Sequence, residues 1–265
     1  MKPCRFLFCI ILALSLSLPF ASQGQNLVQK QKNEKEFKLF ADFSKEHLDI
    51  NFSIPSGFSI TQYCTFAFWL PLLCSGNETD GAKKFFDINS TGLPQGCGQI
   101  LLSNDGNCML MYPMLGEVAI GQRDGRSEKD IYDELLAHYR ECMPSSFNPT
   151  NSTFRMLSQM VTTNTGKSAK AFNADAIRIV PLPLKESYLG KFSQCIGVYL
   201  YKKGHTPIHL KVLMTDSSKN NSLDYIKLLS KHVKYGSKKE IASFDETTRQ
   251  AWQSYLQNVK NLENQ

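Results

Sequence analysis

The 265-residue chain contains no Cys-x-x-Cys pair, no His-Glu-x-x-His, no Gly-x-Ser-x-Gly and no Ser-x-x-Lys. A thioredoxin-type redox pair, a zinc knuckle, a zincin, a hydrolase nucleophile elbow and a serine β-lactamase centre are therefore not indicated. Thr165-Gly166-Lys167-Ser168 ends like a phosphate-binding loop, but the first glycine of that motif is missing upstream. Beyond residue 20 no apolar run reaches the roughly 20 residues that a membrane helix needs. A concentrated basic face is missing too. The lysines are scattered, with Lys202-Lys203 and Lys238-Lys239 as local pairs, which argues against a nucleic-acid partner. There is no internal repeat and no long low-complexity linker.

What is present begins with an export signal. Lys2 and Arg5 form a positive start, residues 6–20 are an apolar run, and Ser22 and Gly24 fit the small positions before a cut at Gln25. The run holds Pro19 and is short for a membrane span. Residues 1–24 are thus expected to be a signal peptide, and the protein to be exported, either periplasmic or extracellular. Removal of Lys2 and Arg5 lowers the net charge of +6 by two and leaves about 240 residues, enough for one sizeable core.

Six cysteines follow the signal: Cys64, Cys74, Cys97, Cys108, Cys142 and Cys195. In an exported chain an even number permits disulfides, while a chain this long can also bury free thiols as small hydrophobes. Cys64 and Cys74 bracket a short apolar segment, and a disulfide joining them is expected. In the chain-entropy model a loop of that size contributes about 3 kcal/mol. The sequons at Asn51, Asn77, Asn89, Asn151 and Asn220 matter only if the source is eukaryotic.

Residues 25–46 are polar and charged and read as a leader, frayed or a short helix. Ile50, Phe52 and Ile54 alternate as a strand closed by Pro55 and Ser56-Gly57. Residues 66–74 are a buried apolar run. Residues 98–115 form a hairpin, with Asp105-Gly106 suited to a two-residue type I′ turn. That turn pairs Leu102 with Met109, Leu101 with Leu110 and Ile100 with Met111. Both of its faces are apolar, so it belongs inside a layered structure. Helical periodicity covers 127–143, where Asp130, Asp133 and Glu134 lie on the solvated side. Strands are expected at 154–161 and 176–182.

Residues 196–202 and 206–214 read as a second hairpin, with Gly204 taking the left-handed position in a loop of three or five residues. A helix follows over 221–236, with Leu223, Ile226, Leu229 and Val233 as its stripe and Gly236 at its exit. Ser243 and Glu246 form a capping box for the last helix, whose Trp252, Tyr255, Leu256 and Val259 share one side. That side needs cover, from the domain itself or from a second copy in a homodimer. The domain plan is a signal peptide over 1–24, a polar leader over 25–46, an α/β sandwich over 47–242 and a C-terminal amphipathic helix over 243–265.

His205 and His209 stand four apart in the second hairpin. On a helix they would converge. On a strand they sit roughly 13 Å apart, at about 3.3 Å per residue, too far to share one zinc at about 2.1 Å from each nitrogen. Neither a metal nor a cofactor is implied. His205 falls in the turn and His209 on the face opposite the aliphatic side, so both read as surface positions. Tyr199, Tyr201, His209 and Lys211 share that opposite face and are the candidate ligand-binding residues.

From residue 50 to 236 the order of elements resembles the PsbP-like α/β sandwich. The resemblance rests on the opening NFSIPSGF, on the hairpin GVYLYKKGHTPIHLKVLM and on the following helix LDYIKLLSKHVKYG. The stretch 61–97 and the terminal helix depart from that pattern. The whole chain also looks like exported proteins of gut-dwelling Gram-negative bacteria. The resemblance implies an α+β fold, an α/β/α sandwich with a mainly antiparallel sheet flanked by helices. It implies an accessory or binding module and carries over no catalytic residue. The expected function is a non-catalytic exported protein that binds a protein or small-molecule ligand. The alternative is a hydrolase or other envelope enzyme with a cryptic Cys/His site.

Overall fold

A computed structural model describes residues 5–60, 97–113, 159, 161–182, 187, 190–239, 241 and 246–263. In chain order the elements are α1 (Arg5–Leu48), β1 (Ile50–Phe52), β2 (Phe58–Ile60), β3 (Cys97–Ser103), β4 (Cys108–Pro113), β5 (Thr162–Asn164), α2 (Lys167–Ala171) and β6 (Ala176–Leu182). They continue with β7 (Gln194–Tyr201), β8 (Ile208–Met214), a 3-10 turn (Lys219–Asn221), α3 (Ser222–His232), β9 (Val233–Tyr235) and α4 (Glu246–Glu263). The expected buried run 66–74, the helix 127–143 with Asp130, Asp133 and Glu134, and nearly all of the strand 154–161 lie outside the described residues. So do Cys64 and Cys74.

The architecture is α+β. Seven strands form one sheet in the order β2-β3-β4-β8-β7-β6-β5, and β1 pairs β9 in a second, two-stranded sheet. Every pairing is antiparallel, and helices flank the main sheet. Among the described residues no helix is long and apolar enough to cross a membrane.

Alternation fixes the two hairpins. Leu102 faces Met109, Leu101 faces Leu110 and Ile100 faces Met111, as the spacing predicts. The turn between them differs from the expected type. Asp105 does not take a positive φ, and the Gly106 N–H donates to the Ser103 carbonyl at 2.8 Å. Gly106 alone is left-handed, at φ 68°. The Asp105 carboxylate is busy instead, accepting from the Ser103 hydroxyl at 2.6 Å and the Asn107 N–H at 3.0 Å. In the second hairpin Val198 faces Leu210 and Leu200 faces Ile208. Gly204, at φ 72°, is left-handed as expected.

One face of the main sheet builds the central cluster. Leu101, Cys108, Leu110, Val198, Leu210 and Val212 are buried there with side chains from α1, α2, α3 and α4. The other face is buried as well: Ile100, Met109 and Leu213 have no exposed surface.

Three elements depart from the sequence reading. The polar leader is part of the core, because the second half of α1 presents Phe37, Phe40 and Phe43 on one side at i, i+3 and i+6. Their rings pack on Phe52, Tyr112, Trp252 and Tyr255. Each such burial is worth about 1.5–3 kcal/mol, which polar composition averaged along the segment concealed. The helix expected over 221–236 stops at His232, since Val233 and Tyr235 alternate inward and pair with β1. Leu223, expected in its buried stripe, is 73% exposed in the first turn. The apolar side of α4 docks on its own domain: Trp252, Tyr255 and Val259 are buried, with Trp252 and Tyr255 against Phe43 of α1. The capping residue Ser243 lies outside the described residues.

Candidate functional site

The ladder β1–β9 sets Phe52 opposite Val233, so the next residue on each side, Ser53 and His232, also meet. The Ser53 N–H donates to the His232 carbonyl at 2.9 Å, and the Ser53 hydroxyl lies 2.9 Å from His232 Nδ1. Tyr112 braces the same corner by donating its hydroxyl to the Ser53 carbonyl at 2.8 Å. Beside this pair opens a cleft of about 430 Å³, lined by Ala41, Asp42 and Lys45 of α1, Asn51 to Ser53, Lys231 and His232 of α3, and Lys234 and Tyr235 of β9. Its volume is within the range of small-molecule sites, about 300–1,000 Å³.

The electrostatics of the cleft are cationic. Lys45, Lys231 and Lys234 line it, and among the described residues none of the three pairs with a carboxylate. Among the described residues the one lining carboxylate, Asp42, is held by Lys38 one turn earlier. Burial lowers the pKa of His232 below its usual 6.5, and the neighbouring Lys231 charge pushes the same way.

The patch expected from the second hairpin is more closed than its alternation implies. Tyr199 and His209 are paired across the strands, with ring centroids 4.9 Å apart edge to face. Lys211 stands opposite Gly197, and the Tyr199 ring lies where a Cβ on Gly197 would reach. Tyr199 and Lys211 are buried, while Tyr201 and His209 are half-buried. These four residues line one face of the sheet, and the open cleft lies elsewhere.

His205 overturns its reading as a surface residue. It has no exposed surface. Its Nδ1 lies 3.0 Å from the Lys203 carbonyl, which can only accept, so Nδ1 carries hydrogen. Its Nε2 lies 3.5 Å from Asp49 Oδ2, and its ring meets the Tyr235 ring edge to face at 5.4 Å. The loop is covered because the segment after β9 returns over it. Gly236 N–H donates to the Asp49 carbonyl at 2.6 Å, Lys238 N–H to Asp49 Oδ2 at 2.9 Å, and Ile241 N–H to the Gly204 carbonyl at 3.1 Å. Gly236 serves close approach rather than a helix exit, since a Cβ there would strike the Asp49 carboxylate.

Two described cysteines are free. Cys108 and Cys195 are both buried. Burial drives the Cys108 thiol far up, and the Cys195 thiol up to about 12 despite the opposing charge of Lys211. Neither is a thiolate nucleophile near neutral pH. Among the described residues no three His, Cys, Asp or Glu side chains gather as a metal site.

Sequence reasoning missed the cleft because its residues come from segments some 180 positions apart, brought together by the β1–β9 ladder. The usable signal was the alternation of Val233 and Tyr235, which read as the end of a helix. Comparison with family models, with curated proteins and with solved structures gave no match to this chain.

Proposed function

We propose that the chain is an exported, non-catalytic binding or accessory protein whose ligand seat is the cleft between α1, β1 and β9. The observation that carries this reading is the cleft itself: open, braced by Tyr112 and lined by three lysines that have no carboxylate partner among the described residues, while the described thiols Cys108 and Cys195 are buried elsewhere. Export follows from the charged start, apolar run and small residues of 1–24. The PsbP-like resemblance belongs to the same reading; the β7–β8 hairpin leading into α3 is what supports it. The test is a ligand and partner screen on the secreted chain, read by thermal shift and by amide shifts at Asn51, Ser53 and His232. A ligand that moves those amides supports the reading. A screen that moves none of them, alongside turnover of a substrate, defeats it.

The enzyme alternative has one specific observation in its favour, the Ser53–His232 contact. A serine nucleophile needs an adjacent base that a third group orients. Here the base lies close, but no carboxylate reaches the far side of the His232 ring among the described residues. Ester hydrolysis abolished by Ser53→Ala and by His232→Ala would establish this reading in place of the first.

A further inference from the structure

The cleft offers more than a place; its charge selects a ligand. We propose that it binds a small soluble molecule through a doubly charged phosphate or sulfate group, an inference that rests on the cleft being the ligand seat. Three exposed lysines from three different elements, Lys45, Lys231 and Lys234, line one cleft, and none has a carboxylate partner among the described residues. Like charges brought together in this way repel unless an anion sits between them. Asp42 does not neutralise them, since Lys38 holds it. Lysine is a point charge that suits phosphate without demanding planar, two-pronged geometry. The Ser53 hydroxyl and the Asn51 side chain add neutral polar groups to the same wall.

His232 links this site to pH. The charged and titratable groups around it are Lys231 on its own helix, Lys234 and Tyr235 on β9, Asp42 and Lys45 on α1, and Ser53 as hydrogen-bond partner. With the cleft empty, burial and Lys231 favour the neutral ring. An anion beside it favours the imidazolium, so anion binding and proton uptake assist each other, and the coupling is reciprocal. Affinity for a dianion therefore rises as pH falls.

The experiment is calorimetric titration of the secreted chain, at low ionic strength, with sodium sulfate and with inorganic phosphate. Sulfate keeps its double charge across the range and so carries the pH arm, at about pH 8 and about pH 5.5. The expected result is saturable binding at one site per chain. Binding should be tighter at the lower pH and weakened about tenfold or more, about 1.4 kcal/mol, in Lys45→Gln/Lys234→Gln. Both lysines are exposed, so the double variant should keep the wild-type unfolding midpoint. The pH dependence of sulfate binding should shrink in His232→Gln. A stronger response to phosphate than to sulfate assigns the group to a phosphate ester, and the reverse to a sulfate ester. No saturation with either anion, or saturation unaltered in the double variant, overturns the proposal. A neutral ligand that moves the Asn51, Ser53 and His232 amides while both anions fail would overturn the anion inference and leave the binding reading standing. Silence from both anions and every neutral ligand would remove both.

Discussion

His205 Nε2 lies 3.5 Å from Asp49 Oδ2 at the point where the β7–β8 loop meets the turn between α1 and β1. Asp49 takes a positive φ of 54°, which a non-glycine residue rarely adopts. Its backbone carbonyl and its carboxylate both accept N–H groups from the segment after β9. The pair therefore sits where three parts of the chain meet, with Asp49 holding the segment after β9 and the buried His205 ring packed beside it.

His205→Ala is expected to destabilise the protein by about 2–4 kcal/mol, since it removes a fully buried ring and strips Asp49 of its neighbour. His209→Ala, at a half-buried position on the sheet, is expected to cost no more than about 1 kcal/mol. Urea unfolding of the two variants checks this; equal midpoints would refute the assignment of the corner.

The docking of α4 on α1 is expected to show coupling. Phe43 lies 5.4 Å from Trp252 and 5.3 Å from Tyr255, ring to ring. Phe43→Ala and Trp252→Ala should each cost about 3–5 kcal/mol, and the double variant less than their sum by at least about 0.5 kcal/mol. A double-mutant cycle with strictly additive values would mean that the two rings do not share one cluster.

Leu210→Ala is expected to cost about 2–5 kcal/mol, because Leu210 is buried opposite Val198 in the central hairpin. The unfolding midpoint of that variant is the measurement.

Thiol chemistry separates the cysteines. Cys108 and Cys195 should resist alkylation in the folded protein and react on unfolding, because burial holds both thiols protonated. We also expect Cys64 and Cys74 to be joined. Intact mass after alkylation of the unfolded chain, with and without reductant, tests that; six alkylated thiols without reductant would end it.

Stability should fall on mild acidification through His232. Its folded pKa lies below its usual 6.5, so just beneath that value the unfolded chain binds the extra proton and the folded chain does not. Its contribution is therefore complete above 6.5 and declines as pH drops toward the folded value. His232→Gln should flatten unfolding midpoints over that interval; an unaltered slope would show that another group is responsible.

The sequence by itself determined the two hairpins. Alternation has a period of two, and shifting a strand by one residue would turn its whole apolar set to the wrong face. The register of Leu101 with Leu110 and of Val198 with Leu210 is therefore written locally, as is the left-handed Gly204. The amphipathic side of α4 was equally legible, because helical spacing places Trp252, Tyr255 and Val259 together.

Tertiary structure decided the rest, through contacts that no local period encodes. Phe37, Phe40 and Phe43 sit in a segment whose average composition is polar, and only a sheet face and α4 give them somewhere to pack. Val233 leaves the helix because β1 has an edge to satisfy, and that choice brings His232 to Ser53 and opens the cationic cleft. His205 looks like a turn residue until the chain returns 30 residues later to cover it. Local spacing fixes which way a side chain points. What lies in front of it depends on segments far away in the chain.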